Sequence, residues 1–397
     1  AFKAQYVSGR SGINLPILKK RMKAICQRTL RQQAQDAGLA SFTKRYLITE
    51  NFTPSDDEKK LYETVSAYLQ RPEIQAMKPN GRHLVTLAIR KILASSSFAI
   101  GDTLRKMIDR LAAKQALDMA ALNDLDTLEE TAEELEVEID DEEGSLETQA
   151  LGKEILELKE MQKLALGITD NAKGACLVKA LSKYLDSIEE KGGKRKAVIF
   201  TESVRTQTYL KELLSANGYE GQIALLNGSN SDASSKEIYK EWVDKHKGTD
   251  AISGSKSADM KAAVVEKFKN DATILIATES GAEGINLQFC SLLINYDLPW
   301  NPQRVEQRIG RCHRYGQRLD VAVLNFINKG NRAEERVFDL LNQKFQLFEG
   351  VFGCSDQVLS AIESGVDIEQ KILAVIQKCR TAEEIDAEFD RLQAELR

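Results

Sequence analysis

Hydrophobic residues recur along this chain with two periods. From Ala1 to about Lys114 most apolar positions keep helical spacing. Leu15, Leu18, Met22 and Ile25 form one stripe. Leu61, Val65 and Leu69 form another, after the start signal Thr53-Pro54-Ser55-Asp56, and Leu84, Leu87, Ile92 and Leu93 form a third. Between the first two, Lys44 to Phe52 alternates like a strand. From Lys196 the texture changes to short, wholly apolar runs, as in strands buried on both faces. These are Ala197-Val198-Ile199-Phe200, Ile223 to Leu226, Ile274-Leu275-Ile276-Ala277, Leu292-Leu293-Ile294 and Val321 to Ile327. Helical stretches separate them. One starts at Ser203, turns Tyr209, Leu210, Leu213 and Leu214 inward and ends at Gly218, and others surround Trp242 and Val264. From Arg332 onward the pattern is helical again. Strands alternating with helices predict an α/β fold with a doubly wound parallel sheet, preceded by a mainly helical region.

Between these parts lies an acidic stretch. From Lys114 to Lys153 there is no Lys or Arg, but 14 Asp or Glu run from Asp118 to Glu147. Leu122, Leu125, Leu128, Leu135 and Ile139 keep helical spacing among them. Asp140 to Ser145 is a turn signal, and Leu151, Ile155 and Leu158 begin a second stripe. The expected structure is an acidic helical hairpin, its two stripes packed on each other, projecting from the rest. The chain then divides into 1–114, a hairpin at 115–170, an α/β lobe at 171–330 and a C-terminal helical extension at 331–397. The net charge is −5, but without those 14 acids it becomes +9. The remaining surface therefore suits an anionic partner.

Composition narrows the class. Hydrophobic residues make up 42% and charged residues 29% of the 397, a globular balance. No apolar run reaches membrane-spanning length, and the first thirty residues lack the apolar core of a secretory signal. The six cysteines show no C-x-x-C pair and there are three histidines. The expectation is free thiols in the reducing cytoplasm, and no zinc site. A chain opening on Ala1 suggests a fragment or a processed product.

The candidate chemistry lies between Ile274 and Gln317. Thr278-Glu279-Ser280-Gly281-Ala282-Glu283-Gly284-Ile285-Asn286-Leu287 follows a buried strand directly, where parallel sheets bind ligands. Gly281 and Gly284 allow close backbone approach to phosphate or sugar, and Thr278 and Ser280 offer hydroxyls. Asn301-Pro302 starts a helix that puts Arg304, Arg308 and Arg311 on one face, with Arg314 and Arg318 following. Guanidinium groups at this density suit phosphate, although a solvated basic helix would have the same spacing.

These residues resemble a family. Gln307-Arg308-Ile309-Gly310-Arg311-Cys312-His313-Arg314-Tyr315-Gly316-Gln317 looks like motif VI of superfamily-two helicases in the form of Swi/Snf ATPases. Thr278 to Leu287 looks like motif V. Asp297-Leu298-Pro299-Trp300-Asn301-Pro302 resembles the link between the two, Ala197 to Thr201 motif IV, and Leu226-Asn227-Gly228 the short motif after it. The wording is most similar to bacterial, RapA-like members. Arg28 to Arg31 and Lys44-Arg45-Tyr46 look, more weakly, like the end of a first lobe, which would make 1–114 that end plus a helical insertion.

The resemblance implies a RecA-like second lobe of an ATP-dependent translocase on nucleic acid, with double-stranded DNA as the track. Arg311 and Arg314 would be the arginine fingers, acting on ATP with Mg²⁺ held by an N-terminal RecA-like lobe. Gly281, Glu283, Gly284, Asn286 and Gln307 would lie on the nucleotide side. Thr201, Glu202, Asn227, Gly228, Thr278, Ser280, Trp300 and Arg304 would lie along the nucleic acid. For Trp300, packing under the motif VI helix is an equal alternative. RNA polymerase or another DNA-bound protein would be the displaced partner. The sequence departs from a whole motor in having no G-x-x-x-x-G-K-[ST] and no acid pair after a buried strand, so an ATP-cradling lobe is missing from it. A non-catalytic adaptor lobe that binds nucleic acid or protein is the other reading.

Overall fold

The computed structural model describes residues 17, 20–21, 36–38, 42–77, 82–115, 148–169, 171–344 and 365–395. The chain forms two compact units, 1–42 and 43–397. In the first, Asp36 to Gly38 close a helical turn with Gly38 at φ +69°. The second holds one sheet and the helices packed on it.

Six strands build the sheet: β1 (Arg45–Phe52), β2 (Ala197–Phe200), β3 (Ile223–Leu226), β4 (Ile274–Ala277), β5 (Leu292–Asn295) and β6 (Val321–Asn328). Their order is β1-β6-β5-β2-β4-β3, and every neighbouring pair is parallel. Alternate residues feed two cores, as the two-residue strand period requires. Val198, Phe200, Leu275, Ala277 and Leu293 face one, while Ala197, Ile199, Ile274, Ile276 and Ile294 face the other. Both faces are buried, which is why β2 and β4 are apolar throughout and β5 is apolar up to its last residue, Asn295.

Thirteen α-helices among the described residues surround the sheet. α1 (Asp56–Leu69), α2 (Arg82–Ser95), α3 (Ser97–Gln115) and α4 (Thr148–Gly167) form a helical layer with its own core. A capping box starts α1: Ser55 Oγ accepts from Glu58 N at 3.2 Å, and Glu58 Oε2 accepts from Ser55 N at 2.7 Å. α5 (Ala172–Glu190) and α6 (Val204–Leu214) cover one face of the sheet. α7 (Ala233–His246), α8 (Lys256–Asn270), the single turn α9 (Glu279–Ala282) and α10 (Pro302–Cys312) follow in the connections between strands, and α11 (Arg332–Asp339), α12 (Gly365–Lys378) and α13 (Ala382–Glu395) come after β6. Ile372, Leu373 and Phe389 of the last two join the core of the other face.

Two sequence expectations change. Lys44-Arg45-Tyr46 resembles the end of a preceding lobe, yet β1 is an edge strand of this sheet, in register with β6 from Arg45 against Val321 to Phe52 against Asn328. The alternation that makes β1 a strand is local, but its partner is not. Lys44 N donates to Asp320 Oδ1 at 2.7 Å across 276 residues. The second change concerns Leu151, Ile155 and Leu158, which pack with Leu61, Val65, Ile100 and Leu104 in the helical layer. Glu154, 8% exposed, lies among them. It accepts from Tyr68 Oη at 2.7 Å and from the backbone N–H of Gln75 and Ala76 at 2.9 Å each. The acidic stripe at 122–139 and its turn at 140–145 lie outside the described residues.

Candidate functional site

Four loops meet at the C-terminal ends of the central strands. The sequence dictates each locally. Thr278 ends β4 and caps α9, its Oγ1 accepting from Gly281 N at 3.4 Å. Asn301 caps α10, accepting from Gln303 N at 2.9 Å, and Pro302 supplies the preset φ of a first helical residue. Asn227, after β3, folds its own loop. Its Oδ1 accepts from Asn230 N at 2.7 Å and its Nδ2 donates to Gln207 Oε1 at 2.9 Å.

Asp297, directly after β5, ties these loops together. Its Oδ2 accepts from Thr201 Oγ1 at 2.6 Å, from Glu202 N at 3.1 Å and from Ser95 Oγ at the end of α2 at 3.0 Å. Its Oδ1 faces Lys173 Nζ at 3.3 Å. A buried carboxylate needs donors for its oxygens, and here each oxygen has at least one. The backbone carbonyl of the same residue accepts from Arg308 NH1 at 2.6 Å.

Arg308 is 1% exposed. Besides that carbonyl it donates from Nε to Glu279 Oε2 at 2.8 Å and from NH1 to Asn295 Oδ1 at 3.2 Å, and its guanidinium lies 5.1 Å from the centroid of the Phe200 ring. It is therefore a strut between α10 and the β4 and β5 loops. Arg311 differs. It is half-buried, and its guanidinium makes no hydrogen bond or ion pair with the described residues. Its backbone carbonyl accepts from Leu287 N at 2.9 Å, so the end of the β4 loop lies against the end of α10. Arg314 is half-buried with Nε donating to Gly310 O at 2.7 Å. Arg304 is half-buried and Gln307 exposed.

The glycines have different reasons. A Cβ on Gly281 would lie 2.5 Å from Leu226 O and 2.7 Å from Asn227 N, so this glycine lets the β3 and β4 loops touch. A Cβ on Gly228 would meet Ser280 Oγ at 3.0 Å, in the same contact. Gly284 has φ +77° and open space around it, and it stands with Glu283 and Asn286 as an exposed stretch between buried Ala282 and Ile285 and buried Leu287. Trp300 is 8% exposed and belongs to the same core cluster as Val305 and Ile309 of α10. Lys91 Nζ stands 5.8 Å from its ring and pairs with Glu202 at 3.2 Å and Glu369 at 3.0 Å.

Sequence reasoning missed three participants. Asp297 was only part of a motif, yet it joins the most elements. Lys261 of α8 donates to Ser280 O at 3.0 Å and Glu283 O at 3.4 Å, closing the end of α9. Glu334, capped into α11 by Asn331, lines a cavity of about 210 Å³ with Tyr62, Ser95 and Lys173. Burial pushes its carboxyl up to about 7, against the opposing pull of Lys173 and the hydrogen bond from Asn331. A signal for Asp297 was present, since it follows a buried strand of a parallel sheet; the other two depend on contacts between distant segments.

Residues 176–316 match the family described as the helicase conserved C-terminal domain. The chain is 29% identical over 363 residues to the uncharacterized ATP-dependent helicase YqhH of Bacillus subtilis, which is 91% of this chain and 51% of that protein. It is 46% identical over 65 residues to the RNA polymerase-associated protein RapA of Vibrio cholerae, 16% of this chain and 7% of RapA. Among solved structures, the C-terminal part of the Fun30 ATPase domain aligns over 86% of this chain and 100% of its own, with 17% identity and a TM-score of 0.42. The chain thus spans about half the length of YqhH and a much smaller share of RapA.

Proposed function

We propose, from a chain whose residues 176–316 match the helicase conserved C-terminal domain and which is homologous to YqhH and, in its C-terminal part, to RapA of the Swi/Snf family, that it is the second motor lobe of an ATP-dependent translocase on double-stranded DNA. The observation that carries this is the contrast within α10. Arg308 is locked into the fold, whereas Arg311 keeps a half-buried guanidinium without a partner among the described residues. A guanidinium held at its base and unspent at its tip suits charge that develops on a phosphoryl group brought from elsewhere. Arg314 adds a second cation one turn on. ATP and its Mg²⁺ would be held by a separate RecA-like lobe. The bound nucleotide supplies the phosphoryl group, and this chain's part is to place Arg311 and Arg314 beside it.

The exposed stretch Glu283, Gly284 and Asn286, with Gln307, would line the nucleotide side. Gly284 fits a close approach, because its conformation suits glycine and the space beside it is open. Thr201, Glu202, Asn227, Gly228, Thr278 and Ser280 would order the loops that meet the DNA backbone, with Arg304 contributing charge. RNA polymerase or another DNA-bound protein is the proposed object of the motion, in the cytoplasm. In the full-length protein Arg311→Ala should lower ATP turnover by about 10³–10⁵ while sparing most ATP binding. Steady-state phosphate release together with nucleotide binding checks this. Near wild-type turnover in that variant would favour a binding adaptor instead.

A further inference from the structure

The turn after α10 holds an aromatic ring outward. Arg314 O accepts from Gln317 N at 3.0 Å, closing a four-residue turn with Tyr315 and Gly316 in the middle. Gly316 has φ +93°, the positive value that the third position of a type II turn needs. Gln317 then fastens the turn to the loop before β5 and to the end of α10. Its Nε2 donates to Cys290 O at 3.0 Å and Cys312 O at 3.3 Å, and its Oε1 accepts from Arg318 N at 2.9 Å and Leu319 N at 3.2 Å. On the other side Arg314 is held by Gly310 O.

Both flanks of Tyr315 are therefore braced, yet its side chain is 68% exposed, the highest value among the large hydrophobic side chains described. A single exposed ring on a loose loop needs no explanation. Here the bracing fixes the backbone that carries the ring, with Arg311 and Arg314 half-buried and Arg318 exposed on the same short segment. An exposed aromatic ring on a segment that also carries Arg311, Arg314 and Arg318 matches one chemical unit, an aromatic base joined to phosphate.

We propose that Tyr315 is a stacking platform for a nucleobase, delivered either by a nucleotide or by a strand of nucleic acid. The proposal rests on the phosphate-binding role given above to Arg311 and Arg314, which would hold the phosphate of the same unit. The ring, and not its hydroxyl, supplies the contact.

The test uses the full chain with two pairs of probes at low salt. One pair is a deoxyadenosine dodecamer and an abasic strand of equal length; the other is ATP and inorganic tripolyphosphate. The wild type should bind the base-bearing member of at least one pair more tightly. Tyr315→Ala should weaken that member by about 5- to 150-fold and leave its base-free counterpart unchanged. Tyr315→Phe should keep both affinities. The pair that responds identifies the source of the base. Equal wild-type affinity within both pairs overturns the proposal, as does an equal loss for base-bearing and base-free probes in Tyr315→Ala; either result assigns the ring to packing against protein. Arg311→Ala reads the phosphate role separately, through the base-free probes, so failure of that role is visible without reference to the Tyr315 contrast.

Discussion

Arg308 commits its guanidinium to Glu279, Asn295 and the Asp297 carbonyl, while Arg311, three residues on, leaves its own uncommitted among the described residues. The shared face of Arg304, Arg308 and Arg311 was legible from helical spacing alone. Which of them is buried was not, because the partners of Arg308 come from the ends of β4 and β5, and no local pattern announces them. Gly281 shows the same limit. Its glycine was legible as a need for close approach, but the approaching group is the protein's own β3 loop. The two arginines should separate stability from function. Arg308→Ala leaves Glu279 and Asn295 facing a gap and should cost about 3 kcal/mol of folding stability. Arg308→Lys should restore little, since an ammonium cannot reproduce the three-way fork. Arg311→Ala should change stability by less than about 0.5 kcal/mol. Urea unfolding of the three variants checks this, and equal losses in Arg308→Ala and Arg311→Ala would contradict the division of roles.

At the scale of elements, the apolar runs of β2, β4, β5 and β6 were readable because a strand buried on both faces needs no alternation and little length. The partners of β1 and α4 were not readable, since pairing and packing across hundreds of residues leave no local trace. α11 shows how an element carries a pH response. Asn331 caps it and donates from Nδ2 to Glu334 Oε1 at 2.7 Å, and the helix start sets Glu334 where burial raises its carboxyl to about 7 from 4.5. A raised carboxyl means the folded state holds the proton more tightly than the unfolded chain. The stabilisation is therefore full below about 4.5 and is lost as pH rises through about 7. Glu334→Gln should remove this dependence. The variant should gain about 1–3 kcal/mol on the wild type between pH 5 and pH 8. Denaturant melts across that range give the measurement, and parallel pH profiles for the two proteins would refute the assignment.

On the scale of the whole molecule, one sheet gathers strands from both ends of residues 45–328, and the helices after Gly365 close one of its faces. No helix among the described residues is long and apolar enough to cross a membrane. On the proposed reading, in which a separate lobe holds ATP, this chain by itself should release no phosphate from ATP above background, with or without DNA. Its own DNA binding should be weak, blind to sequence and steeply weakened by salt, because phosphate contacts compete with counterions. Phosphate release and a salt titration check both. The pairing of β1 with β6 also bears on how the chain is made. Translation at roughly 5–20 residues per second separates the two strands by about 15–55 s. During that interval β1 has emerged with no partner in its own chain. A copy halted before Val321 keeps that orphan strand and also leaves β5 as a raw sheet edge. Two copies emerging side by side on one message each present an orphan β1 and an open β5 edge, so close spacing of ribosomes along that message favours pairing between copies until each copy's own β6 arrives.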